Sequence, residues 1–149
     1  MALIEENRKA LFDYEILQRY HAGIVLFGFE AKAVLYKKAN LIGSFVIIRG
    51  GEAFWINAPI APYQPKNTPS GYDKTRPRKL LLTKREIAEL AGKTAQRGLT
   101  LIPISLYNEG RKIKLEFGLA RSKKKFEKRE DIKKKEFTRE KGRTLRGEV

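Results

Sequence analysis

Two strand-like runs joined by a double-glycine turn constrain the fold of this chain most strongly. Residues 44–48, SFVII, and residues 52–56, EAFWI, are rich in β-branched and aromatic residues and flank the turn Arg49-Gly50-Gly51. A Gly-Gly pair between two such runs favours a tight turn, because glycine readily adopts the positive φ angles that hairpin turns need. The sequence therefore predicts a β-hairpin and, with it, an antiparallel sheet.

A second hairpin is predicted nearer the C-terminus. The runs LTLIPISLY and RKIKLEFGLA are separated by a turn at residues 108–110. Apolar side chains occupy alternate positions of the later run, namely Ile113, Leu115, Phe117 and Leu119. This alternation places them on one side of a strand, and we expect that side to face the core.

The remaining elements complete a simple order along the chain. Residues 14–27, YEILQRYHAGIVLF, predict a long strand bent at Gly23, and FEAKAVLYKKAN after it predicts one short helix. Thr83 and Glu86 form a capping-box pattern that begins a helix expected over residues 83–95. The order strand, helix, hairpin, loop, helix, hairpin contains no βαβ repeat. The predicted fold class is mainly β, a small antiparallel OB-like barrel with flanking helices.

A proline-rich segment, residues 57–79, separates the first hairpin from the second predicted helix. It holds all but one of the six prolines, together with Ser, Asn and Gly. Proline continues neither a helix nor a central strand, because it lacks the backbone N–H. We expect this segment, the proline-rich loop, to be exposed and partly mobile.

Charge and composition divide the chain into two regions. Of the net charge of +15, residues 121–149 carry +7, from 13 Lys and Arg against 6 Asp and Glu. These residues have too few apolar side chains to build a core, so we predict a barrel domain over residues 1–120 and a basic tail, residues 121–149, that is disordered when free. A strongly positive electrostatic potential favours a partner with a phosphate backbone. An anionic membrane surface is the alternative partner.

Several kinds of site are disfavoured by what the sequence lacks. It has no cysteine and one histidine, so no structural metal and no cofactor are expected. No apolar run reaches the roughly 18 to 20 residues of a membrane span, and the first residues do not resemble a signal peptide, so we expect a cytoplasmic protein with no membrane partner. His21 has no nucleophile motif beside it and no phosphate-binding glycine loop occurs, so no catalytic residue is predicted.

Basic and aromatic residues are the candidates for binding. Arg76, Arg78 and Lys79 lie at the end of the proline-rich loop and, with residues 7–9, could line a surface that contacts phosphates. An ordinary solvated loop is the alternative. Four tyrosines could stack on unpaired bases, although the first two are more often core residues in such strands: Tyr14, Tyr20, Tyr63 and Tyr72.

Seven stretches resemble one protein family in its order and spacing. They are ENRKALFDYEI, AGIVLFGFEAK, KANLIGSFVIIRGGEAF, IAPY, RPRKLLLTKREIAEL, GLTLIPISLY and KKKFEKRE. Together they resemble the SsrA-binding protein family, SmpB, the tmRNA partner in bacterial ribosome rescue. The resemblance covers nearly the whole chain. It implies an OB-like barrel, no enzymatic activity, and tmRNA and the ribosome as partners of a protein that is monomeric when free.

The resemblance also implies two sets of RNA-binding residues. Those that would grip the tRNA-like elbow of tmRNA are Asn7, Gly23, Glu30, Lys32, Arg78, Lys79 and Leu81. Those that would meet the ribosome are in the tail: Lys123, Lys124, Phe126, Lys128 and Arg129. In the family such a tail enters the empty mRNA channel of the small subunit as a helix, with its aromatic residue at the decoding centre. His21 stands where the family usually has glutamate, and Ser122 where it usually has glycine.

Three hypotheses of function follow from the sequence. The leading one is a non-catalytic RNA-binding protein that delivers tmRNA to stalled ribosomes in trans-translation. A structural ribosomal protein with an OB-like barrel and a basic extension would share the charge and the fold. An RNA-processing enzyme would need an acidic or histidine cluster, which the sequence does not supply.

Overall fold

The structure, a computed structural model, describes residues 2–96 and 98–123 together with Arg129. Within these residues it has seven strands, three α-helices and a short 3₁₀ helix at Pro65–Asn67. The strands are β1 Ala2–Glu6, β2 Tyr14–Ile24, β3 Phe45–Arg49, β4 Glu52–Ile56, β5 Arg78–Leu81, β6 Leu99–Glu109 and β7 Lys112–Ser122. The helices are α1 Arg8–Asp13, α2 Gly28–Leu35 and α3 Lys84–Thr94.

The strands close into an antiparallel barrel. They pair in the order β6–β3–β4–β5–β2–β7, and β7 pairs again with β6. β1 lies outside this ring and pairs with the second half of β6, beyond the point where β3 meets that strand. Closure limits the number of exposed strand edges. The predicted antiparallel barrel is therefore confirmed.

The first predicted hairpin has the geometry that its glycines favour. Arg49 pairs with Glu52 across the turn. Gly50 and Gly51 between them have φ angles of +59° and +75°. Both values lie in the left-handed region that a two-residue hairpin turn of type I′ requires. The turn thus depends on two residues without a Cβ.

The second predicted hairpin is longer than the sequence pattern indicates. Glu109 pairs with Lys112, so the turn consists of Gly110 and Arg111 rather than residues 108–110. β7 also continues through Ser122, two residues beyond the predicted end of the barrel domain. The polar residues at the turn still pair across the hairpin, because backbone hydrogen bonds do not depend on an apolar side chain.

Large side chains fill the barrel interior. Trp55 on β4 is fully buried, and its indole Nε1 donates to Ser44 Oγ at 3.0 Å. This bond satisfies the ring's polar atom, which would otherwise be buried without a partner. Phe117 on β7 is also fully buried and stacks on Tyr20, with ring centroids 5.6 Å apart. Tyr20 is thus a core residue.

A second, smaller apolar cluster lies where α1 covers the sheet. Ala10 of α1 packs with Ile102 of β6 and Ala120 of β7. On the neighbouring part of β7, a Cβ added to Gly118 would lie 2.7 Å from Ile16 Cγ2. That distance is shorter than a normal carbon–carbon contact. Gly118 therefore allows close packing of β2 against β7.

Helix α3 begins as its capping box predicts. Thr83 Oγ1 accepts from the backbone N–H of Glu86 at 3.2 Å, and Glu86 Oε1 accepts from the N–H of Thr83 at 3.1 Å. Two N–H groups that have no partner inside the helix are satisfied by this exchange. The helix ends at Thr94, with Ala95 as its C-cap, in agreement with the predicted range.

Besides the 3₁₀ helix, three elements were absent from the sequence prediction: β1, α1 and β5. β1 is held by pairing with the distant β6, as at Ala2 and Asn108. α1 has six residues and is capped by Asn7, whose Oδ1 accepts from Ala10 N–H at 3.1 Å. β5 begins directly after Pro77, inside the segment expected to be a loop, and pairs with β4 and β2. Such short elements depend on tertiary pairing more than on local pattern.

Candidate nucleic-acid interface

A buried carboxylate, Glu30, links α2 to the end of the proline-rich loop. Its side chain is fully buried. Arg78 donates to Glu30 Oε2 from Nη2 at 2.8 Å and from Nε at 3.1 Å. Arg76 donates to the same oxygen from Nε at 3.1 Å and to Oε1 from Nη2. Two arginines thus neutralise one buried charge, which removes the main penalty of burying it.

Two neutral donors complete the shell around Glu30. The Tyr72 hydroxyl donates to Oε2 at 2.9 Å, and the Phe27 backbone N–H donates to Oε1 at 2.8 Å. Burial alone would raise the pKa of Glu30, but hydrogen bonds from Arg76, the Phe27 amide, Arg78 and Tyr72 outweigh it and hold the pKa below its ordinary value. Glu30 is therefore ionised at neutral pH.

Arg78 ties the proline-rich loop to the barrel. Besides Glu30, its guanidinium donates to the backbone carbonyls of Ala58 and Lys74, the latter at 2.8 Å, and to the Tyr72 hydroxyl at 3.0 Å. The loop was expected to be exposed, but Ala58 and Ile60 in it are fully buried. Both ends of the loop are consequently fixed next to α2.

Asn7, at the junction of β1 and α1, is also buried and bonded within the protein. Its side chain is 3% exposed. Nδ2 donates to the carbonyls of Pro103 at 3.0 Å and Leu41 at 3.4 Å, while Oδ1 caps α1. These bonds join the β1–α1 junction to β6 and to the segment before β3. Asn7 therefore orders backbone from three parts of the chain.

The expected phosphate-contacting role of Arg78 and Asn7 stays a prediction, and the burial of both side chains bears on it. Both side chains, and that of Glu30, are buried and turned to partners within the protein. Side chains buried to this extent offer little or no surface to RNA. Their part in RNA binding stays a prediction, and in this structure it would be exerted through the surface that they hold in place.

Gly23 and Leu81 are a second pair of predicted residues that the fold brings into direct contact, after Glu30 and Arg78. They are cross-strand partners on β2 and β5. A Cβ added to Gly23 would lie 3.3 Å from Leu81 Cδ1, so the glycine leaves room for that side chain. Leu81 is 57% exposed, which is unusual for a leucine in a barrel strand. This pair places an apolar group on the surface.

A groove of about 480 Å³ lies beside this pair. Gly23 and Leu81 form part of its lining, and the second hairpin contributes three cations: Arg111 from its turn, and Lys112 and Lys114 from β7. Lys114 also pairs with Glu109, with Nζ and Oε2 3.2 Å apart. Cations around an exposed apolar side chain suit an RNA, which offers phosphates and flat bases together. The sequence prediction missed these three residues, although the RKIK pattern was visible.

Two further predicted cations are exposed near the same elements. Lys32 lies on α2, and Lys79 lies on β5 with its Nζ 3.4 Å from Glu52 Oε1. Both partners of the second pair are about half exposed. Surface ion pairs of this kind contribute little stability, so Lys79 can exchange its carboxylate for a phosphate at low cost.

Several other predicted residues fall outside this surface. Arg8 is exposed and 3.7 Å from Glu6. Lys123 is half-buried, and its backbone N–H donates to the Asp13 carbonyl at 2.9 Å. Arg129 is exposed. Lys124, Phe126 and Lys128 lie outside the described residues.

His21 lies between a tyrosine hydroxyl and a carboxylate. Its Nδ1 is 2.8 Å from the Tyr107 hydroxyl, and its Nε2 is 3.8 Å from Glu116 Oε2. Within the described part of the chain, no group of three or more His, Cys, Asp or Glu side chains is placed to hold a metal ion. Among the same residues, no helix has the length and apolar character needed to cross a membrane.

Comparison with known proteins gives the family. A family model described as SmpB protein matches residues 4–147. The chain belongs to the SmpB family. Curated SmpB relatives, each described as an SsrA-binding protein, include one from Gloeobacter violaceus that is 48% identical over 97% of this chain and 94% of its own length. Another, from Carboxydothermus hydrogenoformans, is 46% identical over 97% and 96%.

The fold agrees with that family as well. A chain from a structure of tmRNA–SmpB, described as a journey to the centre of the bacterial ribosome, superimposes with a TM-score of 0.68. It is 46% identical to this chain, and the match covers 83% of this chain and 87% of the other. The SmpB resemblance seen in the sequence is therefore confirmed at the level of both sequence and fold.

Proposed function

We propose that this protein is a non-catalytic RNA-binding protein that binds the tRNA-like part of tmRNA and delivers it to stalled ribosomes in trans-translation. Membership of the SmpB family over nearly the whole chain is the observation that carries the proposal. The similar solved chain, from a tmRNA–SmpB structure at the bacterial ribosome, supports the same pair of partners. Function on the ribosome also implies a cytoplasmic location.

The barrel domain would bind tmRNA through the surface around Leu81. Lys32, Lys79 and the cations of the second hairpin offer charge for phosphates, and Leu81 offers an apolar contact for a sugar or base. The Glu30–Arg78 pair would hold α2 and β5 in register beneath them. Binding would therefore depend on the buried Glu30–Arg78 pair as well as on the residues that contact RNA.

The basic tail would recognise the ribosome. With a net charge of +7 over residues 121–149, it suits a cavity lined by RNA. In this proposal the tail becomes helical in the vacant mRNA channel, Lys123, Lys124, Lys128 and Arg129 contact phosphates, and Phe126 stacks at the decoding centre. An empty channel is what distinguishes a stalled ribosome from an active one.

A structural ribosomal protein is the alternative that shares the barrel and the charge. It would be present on all small subunits in constant amount. The proposed adaptor would instead be enriched on subunits whose mRNA channel is empty. Quantifying the protein across ribosome fractions separates the two classes.

Mobility shifts with two RNAs test the proposal directly. The probes are full-length tmRNA and a bulk RNA of equal length, at about 150 mM salt, where non-specific binding weakens. We expect tmRNA to bind at least tenfold more tightly, on the order of 1.4 kcal/mol or more. Equal dissociation constants would contradict tmRNA recognition.

A further inference from the structure

A pair of tyrosines, Tyr36 exposed and Tyr63 half-buried, lies at the C-terminal end of α2, one helical turn beyond Lys32. The rings of Tyr36 and Tyr63 are stacked, with centroids 4.7 Å apart and planes at 20°. Tyr36 is nonetheless 63% exposed, so its other face meets solvent. A ring held flat from one side and open on the other is a suitable platform for a nucleobase.

The residue after Tyr36 has an unusual backbone conformation. Lys37 has a φ of +60°, in the left-handed region that favours glycine. The conformation is imposed by the helix end: the N–H of Lys37 donates to the Val34 carbonyl and the N–H of Lys38 to that of Ala33, each at 2.9 Å. This is a Schellman motif with lysine at the position where glycine is usual.

Strain of this kind at an exposed site calls for an explanation. Glycine would fit the motif without cost, and Lys37 forms no ion pair with any residue that the structure describes. The same holds for Lys38, which is also exposed. Two adjacent lysines without carboxylate partners beside an open aromatic face match the groups of a single-stranded RNA, which alternates phosphates and bases.

The position is continuous with the proposed RNA-binding surface. The Tyr36 N–H donates to the Lys32 carbonyl at 3.1 Å, so the two residues are one helical turn apart. Residues four apart lie on the same face of a helix. Both side chains are exposed. RNA bound at Lys32 therefore needs to extend by only about one nucleotide to reach Tyr36.

We propose that an unpaired base of the bound RNA stacks on the open face of Tyr36 while Lys37 and Lys38 contact the neighbouring phosphates. The inference rests on the proposed function, because it assumes that RNA occupies this side of α2. It assigns Tyr36 a binding role and Tyr63 the role of holding the ring flat. The neighbouring lysines favour a polyanion over an apolar protein partner.

Three variants separate stacking from a merely structural role. Tyr36→Ala removes the ring, Tyr36→Phe keeps it, and Leu35→Ala removes a comparably exposed apolar side chain at the same helix end. With tmRNA as probe, Tyr36→Ala should raise Kd by about fivefold or more, because base stacking on aromatic residues has effects of this size. Tyr36→Phe and Leu35→Ala should stay within about twofold of the unmodified protein.

Ultraviolet crosslinking to tmRNA gives a second readout that does not depend on affinity. Trypsin releases residues 33–37, AVLYK, in which Tyr36 is the only aromatic residue. A nucleotide adduct on this peptide supports the inference. An unchanged Kd for Tyr36→Ala together with no adduct overturns it. Failure of the unmodified protein to prefer tmRNA would contradict the proposed function itself.

Discussion

Arg78 Nη2 lies 2.8 Å from Glu30 Oε2, and both side chains are fully buried although 48 positions separate them in the chain. This ion pair joins α2 to β5. Lys32 extends from the first element, and Lys79 and Leu81 extend from the second. The relative positions of these exposed residues therefore depend on a pair that has no exposed surface.

Removing one partner of this pair should destabilise the fold strongly. In Glu30→Ala, Arg78 would remain buried without its carboxylate, so we expect a loss of about 3–5 kcal/mol in the free energy of unfolding. Urea denaturation followed by Trp55 fluorescence measures it. The control is a double variant, Glu30→Leu with Arg78→Met, which leaves no buried charge and should recover much of the loss. A double variant that is no more stable than Glu30→Ala would contradict this explanation.

The pH dependence of stability should report the same carboxylate. Because its pKa is held below the ordinary value of 4.5, ionised Glu30 stabilises the folded state above that pH, and this contribution is lost as pH falls through the lowered pKa. The difference in unfolding free energy between the unmodified protein and Glu30→Gln should therefore be constant above about pH 5 and shrink below about pH 4. A difference that does not change with pH would show that Glu30 is not ionised in the fold.

Leu81 should affect RNA binding without affecting stability. Its side chain is 57% exposed, so Leu81→Ala should change the free energy of unfolding by less than about 0.5 kcal/mol. Loss of an apolar contact with RNA should weaken tmRNA binding by about 1 kcal/mol, or about fivefold in Kd. Mobility shifts and urea denaturation measure the two effects. An unchanged Kd would remove Leu81 from the proposed interface.

Gly118 should be intolerant of a side chain for reasons of packing. Its Cβ would lie 2.7 Å from Ile16 Cγ2 and 3.1 Å from Ile104 Cδ1, so Gly118→Ala should cost about 1–3 kcal/mol. The same substitution in an Ile16→Ala background should cost less, since the closest atom is gone. Thermal unfolding of the unmodified protein, Gly118→Ala, Ile16→Ala and the double variant gives the coupling free energy between the two positions. Equal costs in both backgrounds would mean that Ile16 is not the obstacle.

Elements with a strong local signal were predicted from the sequence. The glycine turn at Gly50-Gly51 and the capping box of Thr83 and Glu86 involve neighbours in the chain, and both have the expected geometry. β1 and β5 were missed because their stability comes from pairing with distant strands. The N-cap of α1 could have been found, since an asparagine three residues before Ala10 is a usual start of a helix.

The site was harder to predict because burial is not a local property. Glu30 and Arg78 look like surface charges in the sequence, and their pairing across 48 positions appears only in the fold. The family resemblance supplied the residues but did not indicate which of them are buried and which are exposed. The three cations of the second hairpin lie in a run that was predicted to be a strand, but their place beside Leu81 depends on the pairing of β2 with both β5 and β7, which the local pattern does not give.

The central claim is that the barrel domain binds tmRNA and that the tail binds the ribosome. The salt dependence of tmRNA binding tests it. The comparison is between the full chain and a chain ending at Lys123, which keeps all of β7 and its bond to Asp13. The slope of log K against log salt counts the phosphates that are contacted. We predict the same slope and Kd values within about twofold for the two proteins. A shorter chain with a clearly smaller slope and weaker binding would show that the tail holds tmRNA, and would contradict the account.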